Sequence, residues 1–130
     1  MVWEPSEREI AAVLKLDAAA RYDHFIKKVA DTETLWGLWR DGWALSADDE
    51  AGELLPVWPH RRYASLCATD EWTEFEARAI ELDRWMGRWL PGLAAERKRV
   101  AVFPTPESKG PVVDPTRLEA DLRSELKCYD

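Results

Sequence analysis

Eight tryptophans in a chain of 130 residues constrain the fold more than any other feature of the sequence. Three of them, Trp36, Trp39 and Trp43, surround the pair Asp41-Gly42. Because each indole can bury on the order of 200 Å² of surface, we expect this segment to organise the hydrophobic core. Abundant indoles indicate packing, and they do not identify a reaction.

The size and composition are typical of one globular domain that spans residues 1–130. A chain of this length, 46% hydrophobic and 33% charged, can bury roughly two thirds of its unfolded surface. No apolar run approaches the roughly 20 residues that a membrane-spanning helix needs. The first residues, from Met1 to Glu7, lack the basic and apolar regions of a secretion signal. We therefore expect a cytoplasmic protein that does not bind membranes.

The charge balance indicates which partners the chain can attract. It has 25 acidic and 18 basic residues, a net charge of −7. An acidic surface repels a phosphate backbone, so we expect no nucleic-acid binding. A basic protein partner would be attracted, although a negative charge is also a common means of staying in solution.

Five helices are predicted from N-cap signals and from apolar residues at helical spacing. Three of them follow Ser6, Asp17 and Asp114, one begins at Pro59 and runs through residues 60–67, and one runs through residues 82–93, where Pro91 should bend or end it. The second helix should bury Tyr22, Phe25, Ile26 and Val29 and leave Arg21, Asp23, Lys27 and Lys28 in water. The third should bury Tyr63, Leu66 and Cys67.

Asp41-Gly42 predicts a β-hairpin with a two-residue type I′ turn. That turn would pair Arg40 with Trp43, Leu38 with Leu45, and Trp36 with Ala47. The core side of the hairpin would then consist of Trp36, Leu38, Trp43 and Leu45.

Three further strands are expected. Residues 53–58 should form a short or edge strand, because Pro56 and Pro59 donate no hydrogen bond. Residues 100–103 and 112–113 should form a second hairpin, and the acidic residues 70–76 read as a connector. The predicted architecture is an α+β fold: a small, mostly antiparallel sheet, built from two hairpins and a short strand and flanked by about five helices.

Trp39 stands out on the opposite face of the first hairpin, among Gly37, Ala44 and Ser46. Either a helix covers this face, with Gly37 and Ala44 allowing its close approach, or the ring is exposed and available to a partner. We favour the covering helix, because exposed tryptophans are uncommon in soluble monomers.

Several motifs occur in a fixed order along the chain. They are Arg21-Tyr22, Trp36-Gly37-Leu38, Asp41-Gly42-Trp43-Ala44, Leu55-Pro56-Val57-Trp58-Pro59 and Val102-Phe103-Pro104-Thr105. In that order and spacing they resemble DUF2750, a family of small bacterial proteins of unknown function. The likeness runs from Arg21 to Tyr129. It implies a standalone bacterial α+β domain, and it supplies no activity, cofactor or catalytic residue.

The usual signatures of enzymes are missing from the sequence. It contains no zinc-ligand spacing, no phosphate-binding glycine loop and no Gly-x-Ser-x-Gly turn. Cys67 would lie about 10 Å along a helix from His60, too far for direct activation. We therefore predict no catalytic residue, no metal ligand and no cofactor.

The segment His60-Arg61-Arg62-Tyr63 is the best local candidate for binding an anion or a carboxylate. Backbone N–H groups at a helix start would add to the positive field of the arginines. The plainer interpretation, which we favour, is a capped helix with solvated arginines.

The sequence favours a non-enzymatic protein-interaction module, for which an immunity or inhibitor protein against a basic toxin is one form. The alternative is a small-molecule-binding protein or hydrolase with a pocket near Trp58 and residues 60–63. We expect a monomer or a weak homodimer. The predicted contact residues are Trp39, Trp58, His60, Arg61, Tyr63, Asp48, Asp49 and Glu50.

Overall fold

The computed structural model describes residues 4–48 and 52–127. Two helices open the chain, α1 (Glu7–Leu14) and α2 (Ala18–Thr32). Both begin as predicted, because the Ser6 hydroxyl accepts a hydrogen bond from the Glu9 N–H and the Asp17 carboxylate accepts one from the Ala20 N–H.

Within residues 4–48 and 52–127, six strands form two small sheets. They are β1 (Thr34–Trp39), β2 (Ser46–Asp48), β3 (Gly52–Val57), β4 (Glu76–Glu81), β5 (Arg99–Val102) and β6 (Val112–Val113). β1 pairs with β4, and the other four lie in the order β2-β3-β5-β6. Three of these pairings are antiparallel and the β3–β5 pairing is parallel. Two backbone hydrogen bonds between Trp36 and Trp58, each 2.8 Å long, join the sheets.

Three helices complete the fold. α3 (Arg61–Leu66) follows β3, and α5 (Pro115–Leu126) ends the described chain. Between β4 and β5 lies a longer helical run, here called α4. It starts as an α-helix at Leu82–Arg84, widens to a π-helix at Trp85–Trp89 and ends as an α-helix at Leu90–Ala95. None of the described helices has the length and apolar character needed to span a bilayer.

The α+β prediction is confirmed, with two hairpins among mostly antiparallel strands and five helices, but the first hairpin lies elsewhere. The chain does turn at Asp41, whose φ is 54°. Trp43, however, bridges Trp39 instead of Arg40. This slip of one residue reverses which side chains share a face. The chain then leaves β1 and forms a hairpin from β2 and β3 instead.

The predicted partners across that turn are therefore wrong. Leu38 faces Ala77 and Trp36 faces Ala79, both on β4. Of the four residues assigned to the core side, Leu38 is buried, Trp36 and Trp43 are half-buried, and Leu45 is 38% exposed. Burial of Leu66 in α3 was also predicted wrongly, because its side chain is 40% exposed.

The strand β4 was missed because its sequence, Glu-Ala-Arg-Ala-Ile-Glu, lacks most residues that favour strands. We predicted that β3 would be short or lie at an edge; it has six residues and lies between β2 and β5, so it is not an edge strand. β2 pairs only with residues 52–54. Pro56 lies beyond that ladder, so its missing N–H removes no bond from it.

Pro91 was predicted to bend or end α4, and it does not end it. In an α-helix its ring would clash with the carbonyl of Gly87 and its missing N–H would leave that carbonyl without a partner. The turn just before it is π-helical, with the Leu90 N–H bonded to the Trp85 carbonyl. The wider turn accommodates the proline, and the helix continues to Ala95.

Arg21 is only 5% exposed, although the sequence predicted it in water. Its guanidinium donates to the Leu16 carbonyl at 2.9 Å and to the Phe103 carbonyl at 3.3 Å. The guanidinium can be buried because it donates hydrogen bonds to two carbonyl groups, one just after α1 and one just after β5. Arg21 thus ties the α1–α2 connection to the end of β5.

Candidate functional site

Four indole rings stack in series from the surface into the core, and we call them the tryptophan ladder. Trp39 contacts Trp43 edge to face, with ring centroids 5.1 Å apart, and Trp43 contacts Trp89 in the same way at 5.1 Å. Trp89 in turn lies 5.8 Å from Trp85. Trp85 is fully buried, whereas the other three are half-buried. Such edge-to-face contacts contribute about 0.5–1.5 kcal/mol each beyond area burial.

The ladder depends on a glycine in β1. A Cβ atom on Gly37 would lie 2.9 Å from Cε3 of Trp43. Only glycine therefore lets the indole lie flat over the strand after the turn. α4 supplies the other two rings, because Trp85 and Trp89 lie four residues apart on its inner side.

This arrangement answers the question that Trp39 raised. The Trp43 ring covers the β1 face at Gly37, and α4 lies behind it through Trp89. Trp39 itself is half-buried, with the Arg78 guanidinium 4.4 Å above its ring. The ring is therefore partly covered and partly exposed.

A groove lies beside the ladder, between the chain at residues 43–45 and α4. It has a volume of about 470 Å³, within the range typical of ligand sites. Its apolar lining includes Leu45, which is one of the few large hydrophobic side chains exposed to solvent in the described residues. We call it the tryptophan groove, and its lining is Trp43, Leu45, Leu55, Arg88, Trp89, Gly92, Leu93, Glu96 and Lys98.

Glycine keeps one wall of the tryptophan groove open. Gly92 is exposed on α4, and a Cβ atom placed there would meet nothing within 4 Å. The polar groups of the groove are Arg88, Glu96 and Lys98, of which the last two form an ion pair of 3.2 Å. The groove is therefore an apolar trough with charged groups along its lining.

The two arginines of the His60-Arg61-Arg62-Tyr63 segment pair with carboxylates of the same chain. Arg61 contacts Glu4 at 2.8 Å, and Arg62 contacts Glu7 at 3.0 Å. The hydrogen bond from Arg61 holds the pKa of the Glu4 carboxyl below its usual range. His60 caps α3, with its Nδ1 accepting from the Arg62 N–H at 3.1 Å. These contacts fasten residues 4–7 to the start of α3.

The remaining predicted contact residues differ in accessibility. Trp58 and Tyr63 are at most 1% exposed, and His60 is 5% exposed. The Trp58 indole N–H donates to the Pro104 carbonyl at 2.8 Å. Arg61 is exposed. Asp49, Glu50 and the side chain of Asp48 lie outside the described part of the chain.

A second, polar cavity of about 520 Å³ lies between the short 3₁₀ turn Asp70–Trp72 and the loop at residues 104–109. Cys67 forms part of its lining, and burial raises the pKa of this thiol to about 11. The thiol is therefore protonated near neutral pH and is a poor nucleophile. Trp58, His60 and Tyr63 line neither of the two cavities described here.

Sequence reasoning did not identify the tryptophan groove. It assigned Trp43, Leu45 and Trp89 to the core, and it did not consider Arg88. One signal was present, since Gly92 interrupts the apolar stripe of α4 and leaves a gap on its surface. In the part of the chain that is described, no group of three or more His, Cys, Asp or Glu side chains is placed to hold a metal ion.

The fold and its aromatic core define a small α+β domain with an open groove. The chain belongs to the family described as "Protein of unknown function (DUF2750)", which matches residues 22–122. Comparison with curated proteins and with solved structures gave no match. The matched region contains the whole tryptophan ladder and begins after α1.

Proposed function

We propose that this protein is a non-enzymatic interaction module that binds a segment of another protein in the tryptophan groove. The observation that carries the proposal is the open apolar trough formed by Trp43, Leu45 and Trp89. Exposed apolar patches rimmed by polar groups are typical of interaction sites. Tryptophan side chains are also enriched among the residues that contribute most to interface affinity.

The lining of the groove supports binding rather than a reaction. The described residues of this lining carry no hydroxyl, thiol or imidazole group. Its carboxylate, Glu96, is held in an ion pair with Lys98. A groove of this composition offers apolar contact area and orientation, and it offers no activated nucleophile.

The net charge of −7 favours one form of this proposal, an immunity or inhibitor protein that meets a basic toxin in the bacterial cytoplasm. Opposite charges raise the rate of encounter, while the apolar contacts supply most of the affinity. Asp48, Asp49 and Glu50 lie three to five residues after the groove residue Leu45 in the sequence, and they are the acidic residues that this form of the proposal assigns to partner contact.

Two glycines of α4 provide a matched test. Gly92 lines the groove and Gly87 does not, and both leave open space where a Cβ would lie. Replacing Gly92 with Leu fills the groove, whereas Gly87→Leu adds the same side chain to the same helix away from it. Both variants should fold, because leucine favours helices more than glycine does.

The experiment is a selection of random peptides displayed on phage against the immobilised wild-type protein. We expect selected peptides to bind the wild type and Gly87→Leu with similar Kd, and to bind Gly92→Leu at least tenfold more weakly. Thermal unfolding of both variants checks the fold. The proposal is contradicted if no peptide is enriched, or if the enriched peptides bind Gly92→Leu as tightly as the wild type.

Light scattering separates a second copy of the chain from a foreign partner. We expect the wild type to stay monomeric at high concentration. A dimer that becomes monomeric in Gly92→Leu would instead assign the groove to self-association and overturn the proposal.

A further inference from the structure

We infer that the segment bound in the tryptophan groove carries an acidic side chain next to its apolar anchor. The inference rests on the proposed function and adds the chemistry of the partner. It is carried by Arg88, which lines the groove on the outer side of α4.

Arg88 has no carboxylate within ion-pairing distance among the described residues, although the chain is rich in acids. By contrast, Arg40, Arg61, Arg62 and Arg99 all have carboxylate partners. The guanidinium beside the apolar wall is therefore available to a ligand.

The charge of the segment that forms α4 and leads into β5 is opposite to that of the whole chain. Residues 82–99 contain five basic and two acidic residues, whereas the complete chain has a net charge of −7. Arg84 and Arg88 lie one turn apart on α4, and like charges at that spacing repel each other. A local basic patch on an acidic protein favours a local acidic group on what binds there.

The geometry of arginine suits this role. A guanidinium offers several N–H donors in one plane and can bind a carboxylate through two hydrogen bonds at once. Lys98 lies in the same lining, but its ammonium is already 3.2 Å from Glu96. Arg88 is thus the group that would distinguish an acidic segment from a neutral one.

The test uses synthetic peptides taken from the groove-dependent pool, meaning those that bind the wild type but not Gly92→Leu. Each is made with its acidic residue, with Gln or Asn in its place, and with Lys in its place. We expect the acidic form to bind roughly tenfold more tightly than the amide form, because the amide form loses a charge-assisted hydrogen bond to Arg88. The lysine form should bind most weakly.

Reversing the charge on the protein gives the second arm. Arg88→Glu should weaken binding of the acidic peptide by at least tenfold and strengthen binding of the lysine peptide. Arg97→Glu is the matched control, because it makes the same change of net charge in the same basic segment outside the groove lining. It should change each Kd by less than about threefold.

The outcomes separate the two proposals. The acidic preference is wrong if the acidic and lysine forms of the groove-dependent peptides bind the wild type with the same Kd. It is also wrong if Arg88→Glu and Arg97→Glu change the Kd of these peptides equally. In both cases the groove remains the binding site. If no peptide depends on the groove, the proposed function has already failed at the Gly92→Leu step.

Discussion

Gly37 shows how one missing side chain determines the aromatic core. The space where its Cβ would lie is occupied by the Trp43 ring, with two ring carbons at 2.9 and 3.0 Å. Trp39 and Trp89 also contact the Trp43 ring, so the ring has little freedom to move aside. The tryptophan ladder therefore depends on glycine at this position.

We predict that Gly37→Ala destabilises the protein by about 1–3 kcal/mol, because the added methyl group overpacks the Trp43 contact. Urea unfolding followed by circular dichroism measures the change. Gly87→Ala is the control, since nothing lies within 4 Å of its Cβ. It should raise stability by about 0.5–1 kcal/mol. Equal stability of Gly37→Ala and the wild type would show that the ladder does not require glycine there.

Cys67 makes stability depend on pH at the alkaline end. Burial raises the pKa of its thiol from the ordinary value of 9.0 to about 11. The unfolded chain therefore loses this proton at lower pH than the folded protein. Stability should be unaffected by this group below pH 9 and should fall as the pH rises from 9 to 11.

The corresponding prediction compares the wild type with Cys67→Ala. Between pH 8 and pH 10.5, the free energy of unfolding of the wild type should fall by about 2 kcal/mol more than that of the variant. Parallel pH dependences for the two proteins would mean that the thiol ionises equally easily in both states. Burial also raises the pKa of Tyr22 and Tyr63. The wild type and Cys67→Ala both contain these tyrosines, so the comparison isolates the thiol.

At the scale of elements, the helices were easier to predict than the strands. N-caps such as Ser6 and Asp17 act locally, so the sequence beside them determines where the helix starts. The pairing of β1 depends on contacts that are distant in sequence, since its partner β4 lies some forty residues further on. The chain turns at Asp41, but the predicted two-residue turn did not form, since Trp43 bridges Trp39 instead of Arg40.

Arg21 connects elements that sequence patterns treat separately. Arg21 lies near the start of α2, an amphipathic helix, on the face that the sequence pattern assigns to solvent. We therefore predicted that its side chain would be exposed. In the fold it hydrogen-bonds to Leu16, Phe103 and Ser108. No local signal reveals carbonyl acceptors that lie more than eighty residues away.

We predict that Arg21→Met destabilises the protein by about 2–4 kcal/mol, because buried carbonyl groups lose a charged donor. Thermal and urea unfolding would measure the effect. Arg123→Met removes an exposed arginine that pairs with Glu119 at 3.4 Å, and it should change stability by less than about 0.5 kcal/mol. Similar costs for the two substitutions would contradict a structural role for the buried guanidinium.

At the scale of the whole molecule, the sequence indicated the class of fold and the family, but not the site. The tryptophan groove forms only where residues 43–45 meet α4, and the register of the turn had to be known to bring them together. The predicted contact residues Trp58 and Tyr63 carry suitable chemistry for an interface. In the fold, however, both side chains are buried in the core.

The central claim is that the open part of the tryptophan ladder is the contact surface of this protein. The most direct test is a titration of the ¹⁵N-labelled protein with a selected peptide, monitoring the indole N–H signals by NMR. We predict that the signals of Trp43 and Trp89 shift in a saturable way while that of the buried Trp58 stays in place. Shifts that leave Trp43 and Trp89 unaffected would contradict the account.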